Sequence, residues 1–263
     1  MIGTLGNNDW YIGDVTVTWT VNDAESPITS SAGCDTTVLN TDTAGQTLTC
    51  IATSTGGTAS NSVTVKRDTI SPVLTGIPAS QTIEATSAAG TAITYAAPSA
   101  DDVMSGVSGA VICIPASGAA FVVGLTTVTC TVQDNAGNSS AASFQVTVIY
   151  KFTGFFQPVD NLPTLNSVKA GSSIPVKFNL GGNQGLNIFT AGYPVSQSIA
   201  CSPGSTNDIE ETVAAVSNSL AYDPSTDQYS YVWKTSAAWS GTCRQLVVKL
   251  NDGTEYKANF KFR

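Results

Sequence analysis

The sequence predicts an all-β chain of three tandem β-sandwiches, and three observations carry that expectation. The run Thr47-Leu48-Thr49-Cys50-Ile51-Ala52-Thr53 returns in nearly the same form at Thr126 to Val132, and again at Thr242 to Val248. Each version alternates residues around a Thr-Cys pair, then leads through a turn into one last alternating strand, the pattern of a half-buried hairpin. One earlier cysteine accompanies each of the three: Cys34, Cys113 and Cys201. The composition agrees, because only 11% of the 263 residues are charged, and Thr, Ser, Ala and Gly at exposed positions favour strands and turns over helices. That length exceeds one sandwich and suits two or three domains.

Six cysteines could pair in fifteen ways, and sequence alone does not choose. One staple per β-unit is the simplest accounting: Cys34 with Cys50, Cys113 with Cys130, Cys201 with Cys243. On the chain-entropy view each would contribute ~3 to 4 kcal/mol. Such bridges imply an oxidising compartment, so the expected location is secreted or cell surface. No run approaches the ~18 to 20 apolar residues of a membrane helix. Neither signal peptide nor anchor is visible, and Met1-Ile2-Gly3 reads as a cut inside a longer chain.

The first unit, residues 1–70, opens on Trp10 and Tyr11. Val15, Val17, Trp19 and Val21 are expected on one face of a strand starting at Asp14, before a turn at Asn22, Asp23, Ser26 and Pro27. Residues 1–9 are too few and too polar to supply a strand beside it. An open edge is therefore expected, to be filled by an upstream segment or by strand addition from another copy. Ala59 to Lys66 closes the unit, and Arg67 to Pro72 reads as a polar junction.

The next unit, residues 71–149, carries Ile83-Glu84-Ala85-Thr86, Gly90 to Tyr95 with Pro98, Cys113 to Gly118, and Gly124 to Val132 closing on Asp134-Asn135-Ala136-Gly137-Asn138. Through these residues it resembles a hyalin repeat (HYR) domain, an immunoglobulin-like adhesion module of extracellular proteins. The last five residues have the chemistry of a hairpin turn with a left-handed Gly137, and Phe144, Val146 and Val148 give the final strand an apolar face. Residues 1–70 resemble the bacterial immunoglobulin-like module that often precedes hyalin repeats, through the Trp-Tyr start, the Val-Thr-Trp strand and the Thr-Cys strand. Residues 150–263 resemble the PxKF domain, a bacterial extracellular module. Pro175-Val176-Lys177-Phe178 carry that likeness, with Phe155 to Val159, Val168 to Gly171, Tyr229 to Thr235 and Gly241 to Leu250. Together these resemblances imply three tandem immunoglobulin-like β-sandwich domains. Asp208 to Leu220 fits a helical face through Ile209, Val213, Val216 and Leu220, but strand or irregular structure is expected in so β-rich a setting.

The chain has no histidine, which removes Ser-His-Asp and Cys-His catalysis and the commonest zinc ligand. Paired-carboxylate chemistry would need two carboxylates across a cleft. The neighbouring pairs Asp101-Asp102 and Glu210-Glu211 do not converge on a strand and are ordinarily solvated in a loop. No enzyme and no organic cofactor is expected. The ionic expectation is calcium at Asp101, Asp102 and Asp134, although turn formation alone also accounts for Asp134 to Asn138. Trp239, Tyr193 and Tyr222 are candidate sugar-stacking rings and Lys177 a candidate ligand contact. Core packing and a snorkelling lysine are the structural alternatives.

Net charge is -8. Residues 1–150 hold eleven acidic side chains against only Lys66 and Arg67, so nucleic acid is an unsuitable partner for that half. The expected function is a non-catalytic extracellular adhesion or structural module, a spacer or a fibre-forming segment. Its partner would be a protein or glycan at a cell or matrix surface. The alternative is an accessory carbohydrate-binding tail of a larger secreted hydrolase.

Overall fold

A computed structural model describes residues 1–201, 206–209, 211–214 and 218–263. The fold is all-β and of immunoglobulin-like sandwich type, with no α-helix among the described residues. The first 70 residues give β1 (Trp10–Tyr11), β2 (Val15–Val17), β3 (Ile28–Ala32), β4 (Thr37–Leu39), β5 (Thr43–Ser54) and β6 (Gly57–Arg67). Next come β7 (Val73–Thr75), β8 (Gln81–Glu84), β9 (Thr91–Ala92), β10 (Ser99–Asp101), β11 (Ile112–Ile114), β12 (Ala120–Phe121), β13 (Gly124–Gln133) and β14 (Ser139–Ile149). The remainder supplies β15 (Phe155–Phe156), β16 (Leu165–Val168), β17 (Ser173–Phe178), β18 (Val195–Ile199), β19 (Thr206–Asp208), β20 (Ser219–Asp223), β21 (Gln228–Lys234), β22 (Cys243–Lys249) and β23 (Glu255–Phe262).

The chain divides into two compact units, one of Met1–Ala79, Tyr95–Ser117 and Val128–Phe144, the other of Ser80–Thr94, Gly118–Thr127 and Gln145–Arg263. In the first, β1-β6-β5-β3 form a sheet and β2 pairs with β4. Val15, Val17, Leu39 and Val65 meet as a small core, with Tyr11, Trp19, Leu48 and Val63 packed around it. Alternation brings Val15 and Val17 there from one face of β2. The strand stops at Val17, however, and Val21 is exposed, so the expected four-residue face is cut short. The turn that follows is as expected: Asp23 Oδ1 accepts the N–H groups of Glu25 and Ser26 at 2.9 and 3.1 Å. Much of the β5–β6 hairpin is solvent-facing and held by hydroxyl pairs across the ladder, Thr47 with Thr64 and Thr49 with Ser62, both at 2.8 Å.

The expected open edge at β2 is filled by the chain itself. Ile2 N–H donates to the Thr16 carbonyl at 2.9 Å, and Thr16 N–H returns a bond to Ile2 at 2.8 Å. A single bridging residue satisfies both backbone groups that β2 turns away from β4, so no full strand is needed. Nearby, Gly6 runs so close to the Ala136 carbonyl that a Cβ there would lie 2.1 Å from its oxygen.

The second unit holds the sheets β15-β17-β21-β20 and β18-β22-β23-β16-β19. Tyr229, Tyr231 and Trp233 alternate inward from β21, and Leu246, Val247, Val248 and Leu250 are buried along and just past β22. Rings dominate this core. Phe178 stacks on Tyr229 with centroids 5.5 Å apart, and Trp233 meets Phe260 edge-on at 4.9 Å. Burying side chains of this size stabilises the fold by roughly 2 to 3 kcal/mol each. Of the ambiguous Asp208 to Leu220 stretch, Asp208 ends β19, Val213 bridges Ser173 and Leu220 lies in β20. Glu210 and Val216 lie outside the described residues.

All six cysteines pair within their own β-units: Cys34–Cys50, Cys113–Cys130 and Cys201–Cys243.

Candidate functional site

Three aspartates, each just after a strand, define the candidate site. Asp134 follows β13 and folds the turn behind it. Its Oδ1 accepts the N–H groups of Gly137 and Asn138 at 2.6 and 2.8 Å, and its Oδ2 accepts Asn138 Nδ2 at 2.8 Å. The turn needs a positive φ, which Gly137 supplies at +105°. Asp102 follows β10 and shapes the next loop, where its Oδ1 accepts the N–H groups of Ser105 and Gly106, both at 2.8 Å. Asp68 follows β6. Its N–H donates to the Tyr11 carbonyl at 2.9 Å and its Oδ1 accepts from Ile70 N–H at 3.1 Å.

One carboxylate oxygen from each of the three lies within 4.8 Å of the other two. Asp68 and Asp134 are fully buried and Asp102 is half-buried. Asp68 Oδ2 is enclosed and has no hydrogen-bond partner among the described residues. No lysine or arginine among the described residues forms an ion pair with the trio, and Arg67, the neighbour of Asp68 in sequence, is committed to Asp42 and Asp14. The segments are also laced together without the carboxylates. Asn138 Nδ2 donates to the Asp68 carbonyl at 3.1 Å, and Asn135 Nδ2 to the Ser105 carbonyl at 2.8 Å. From the N-terminal side, Asn7 N–H donates to the Ala136 carbonyl at 2.8 Å. Such a cluster is a set of hard oxygen donors. It is too tight and too enclosed for the glycosidase arrangement, whose carboxylates stand ~5 to 10 Å apart across an open cleft.

Two of the three aspartates expected at a cation site, Asp102 and Asp134, are therefore brought together, and Asp101 is not. Asp101 lies in β10, opposite Val73 of β7, with an exposed side chain, because successive residues of a strand point to opposite faces. Asp68 was missed. Its place in an apparently polar junction hid that it is buried, and nothing local in the sequence signals an encounter with two distant loops.

Each of the candidate ligand contacts is engaged by another side chain of the protein. Trp239, in a 3₁₀ turn at Ala237–Trp239, is covered by the Arg244 guanidinium 4.2 Å from its ring centroid and packs edge-on to Phe262 at 5.5 Å. Tyr193 lies under the Lys249 ammonium at 5.8 Å. Tyr222, on β20, donates to Asp227 Oδ1 at 2.6 Å, and that bond to a carboxylate pushes its phenol up to about 12. Lys177 sits in β17 and pairs with Glu211 at 2.8 Å.

A separate open groove of about 740 Å³ runs between the Trp19 to Ile28 segment and the end of the β5–β6 hairpin, lined in part by Trp19, Asp23, Glu25 and Ala52. Asp23 is tied into the surrounding turn. The Ser54 hydroxyl above all, then the Glu25 and Ser26 N–H groups and the Ser26 hydroxyl, hold its carboxyl down at about 2, so it cannot serve as a general acid near neutral pH.

No curated protein matches the chain. Among solved structures it is similar to an I-band fragment of titin at 11% identity, covering 95% of this chain and 86% of that one with a TM-score of 0.30. Extracellular cadherin domains 3–6 of protocadherin gamma B2 are similar at 14% identity, covering 95% and 67%, with a TM-score of 0.25. Immunoglobulin domains 1–5 of Sidekick-1 are similar at 11%, covering 87% and 47%, with a TM-score of 0.29. Residues 67–148 match the HYR domain, and that segment contains Asp68, Asp102 and Asp134.

Proposed function

We propose that the chain is a non-catalytic extracellular adhesion or structural module, working by protein contact at a cell or matrix surface. The observation that carries this reading is the HYR domain match over residues 67–148, set in an all-β chain with a disulfide in each Thr-Cys β-unit. Such bridges persist in oxidising surroundings, which supports a secreted or surface location. A histidine-free sequence, which lacks the usual general base near neutral pH, favours binding over catalysis. The division into domains at 1–70, 71–149 and 150–263 is part of the proposal. So is the bacterial PxKF character of the last, which is supported by Pro175 to Phe178 lying together in β17 between β15 and β21. Self-association by strand addition loses its motive at β2, where Ile2 already bonds.

Beads coated with the disulfide-intact full chain test the proposal against matrix proteins, whole cells and a glycan array. Saturable attachment to a protein or cell surface that survives glycan competition is the expected result. Retention on polysaccharide with no protein attachment would overturn it in favour of a carbohydrate-binding tail.

A further inference from the structure

The geometry points to a calcium site made by Asp68, Asp102 and Asp134, one that pins the connection after β6 to the loops after β10 and β13. Its existence does not depend on what the chain adheres to. Two independent observations meet here. The first is the convergence of three carboxylates within 4.8 Å. The second is Asp68 Oδ2, an oxygen on a fully buried side chain with no hydrogen-bond partner among the described residues. Buried polar atoms are almost always partnered, and a buried carboxylate oxygen beside two more carboxylates calls for a positive ligand.

The donor set selects the class of ion. The sequence has no histidine and every cysteine is in a disulfide, so only oxygen is on offer, and oxygen suits hard cations. Two oxygens each ~2.4 Å from one calcium ion can be no more than ~4.8 Å apart, a limit that the three carboxylates meet. Calcium is favoured over magnesium because it accepts irregular coordination by six to eight oxygens, whereas magnesium demands a near-ideal octahedron. Here Asp102 and Asp134 are oriented by the N–H groups of their own loops and not by a common octahedral frame. The consequence is mechanical. Without the ion, three like charges push the segments carrying them apart; with it, the same segments are drawn together. Calcium then sets the stiffness of the connection at 67–70.

The test uses the full disulfide-intact chain, stripped with a chelator and titrated with calcium chloride by calorimetry, with thermal unfolding followed in parallel. One site is expected, with Kd in the ~0.1 to 1 mM range of extracellular calcium modules. Near-saturating calcium should raise Tm by about 3 to 6 °C. Asp68→Asn keeps the acceptor for Ile70 N–H and removes one charge. It should abolish both the binding heat and the Tm rise while leaving the calcium-free Tm equal or higher. Asp102→Asn, at a half-buried position, provides the same reading should Asp68→Asn not fold, and exposed Asp101→Asn should keep the full response. No heat up to 10-fold above that Kd range overturns the site. A response unchanged in both Asp68→Asn and Asp102→Asn places the ion elsewhere on the acidic surface and overturns it too. Magnesium binding as tightly as calcium overturns the choice of ion.

Discussion

The guanidinium of Arg67 donates to Asp42 Oδ1 at 2.6 Å, at the residue where β6 gives way to the connection carrying Asp68. The same group donates through Nη2 to Asp14 at 2.8 Å and through Nε to the Gly13 carbonyl at 3.1 Å. The side chains of Arg67 and Asp42 are 9% and 13% exposed, so the pair is largely withdrawn from water. Removing one partner strands the other's charge. Arg67→Met is expected to cost about 2 to 4 kcal/mol, read from the midpoint and slope of urea unfolding. Arg67→Lys, which cannot fork, should recover only part of that. An unchanged midpoint for Arg67→Met would show the pair to be dispensable.

Acid should loosen the turn at Asp23. Its carboxyl is held at about 2 against 3.8 for the free group, chiefly by the Ser54 hydroxyl and then the Glu25 N–H. A depressed folded pKa means that its stabilisation is present above about pH 4 and is lost as pH falls towards 2. Asp23→Asn should flatten the pH dependence of Tm in that window and nowhere else. A carboxyl resonance titrating near 4 would contradict this account.

At the alkaline end Tyr222 behaves in the opposite sense. Its phenol is raised to about 12 by the hydrogen bond to Asp227 and then by desolvation, so its stabilisation is complete below pH 10 and is lost as pH rises through 12. Burial raises Tyr150 to about 12 as well, so ultraviolet titration should find several tyrosines ionising late, of which Asp227→Asn returns one towards the ordinary range. If Asp227→Asn leaves the titration curve untouched, the cause lies elsewhere.

Tyr229 is fully buried and its hydroxyl accepts the Gln184 N–H. Tyr229→Phe keeps the stack on Phe178 but leaves a buried N–H unsatisfied, for an expected loss of about 1 to 3 kcal/mol. Hydrogen exchange at Gln184 should accelerate in the variant. Wild-type protection there would argue that another acceptor takes over.

The bridges should rank by the loop each closes. Cys201–Cys243 spans 42 positions and Cys34–Cys50 spans 16, which gives about 4 and about 3 kcal/mol on the chain-entropy model. Paired Cys→Ser variants compared by denaturant unfolding check both the values and the order. A larger loss from the shorter bridge would mean that native packing, and not chain entropy, sets the scale.

Residues that act through local periodicity were legible in the sequence. Alternation in β14 identified Phe144, Val146 and Val148 as the buried face, because a strand's side chains alternate whatever surrounds them. The Thr-Cys repeats likewise identified the strand that carries each bridge. Turn chemistry placed Asp134 to Asn138 and Asp23 to Ser26 for the same reason: an aspartate oxygen reaches N–H groups only a few residues away.

Tertiary structure alone decided what depends on residues far apart in the chain. It buried Arg67 and Asp68 in what read as a polar junction, closed the edge of β2 with Ile2, exposed Val21, and covered Trp239 with Arg244. It also replaced Asp101 by Asp68 in the acidic trio. Burial and charge proximity are properties of the space between segments, and that space exists only once β6, β10 and β13 end side by side.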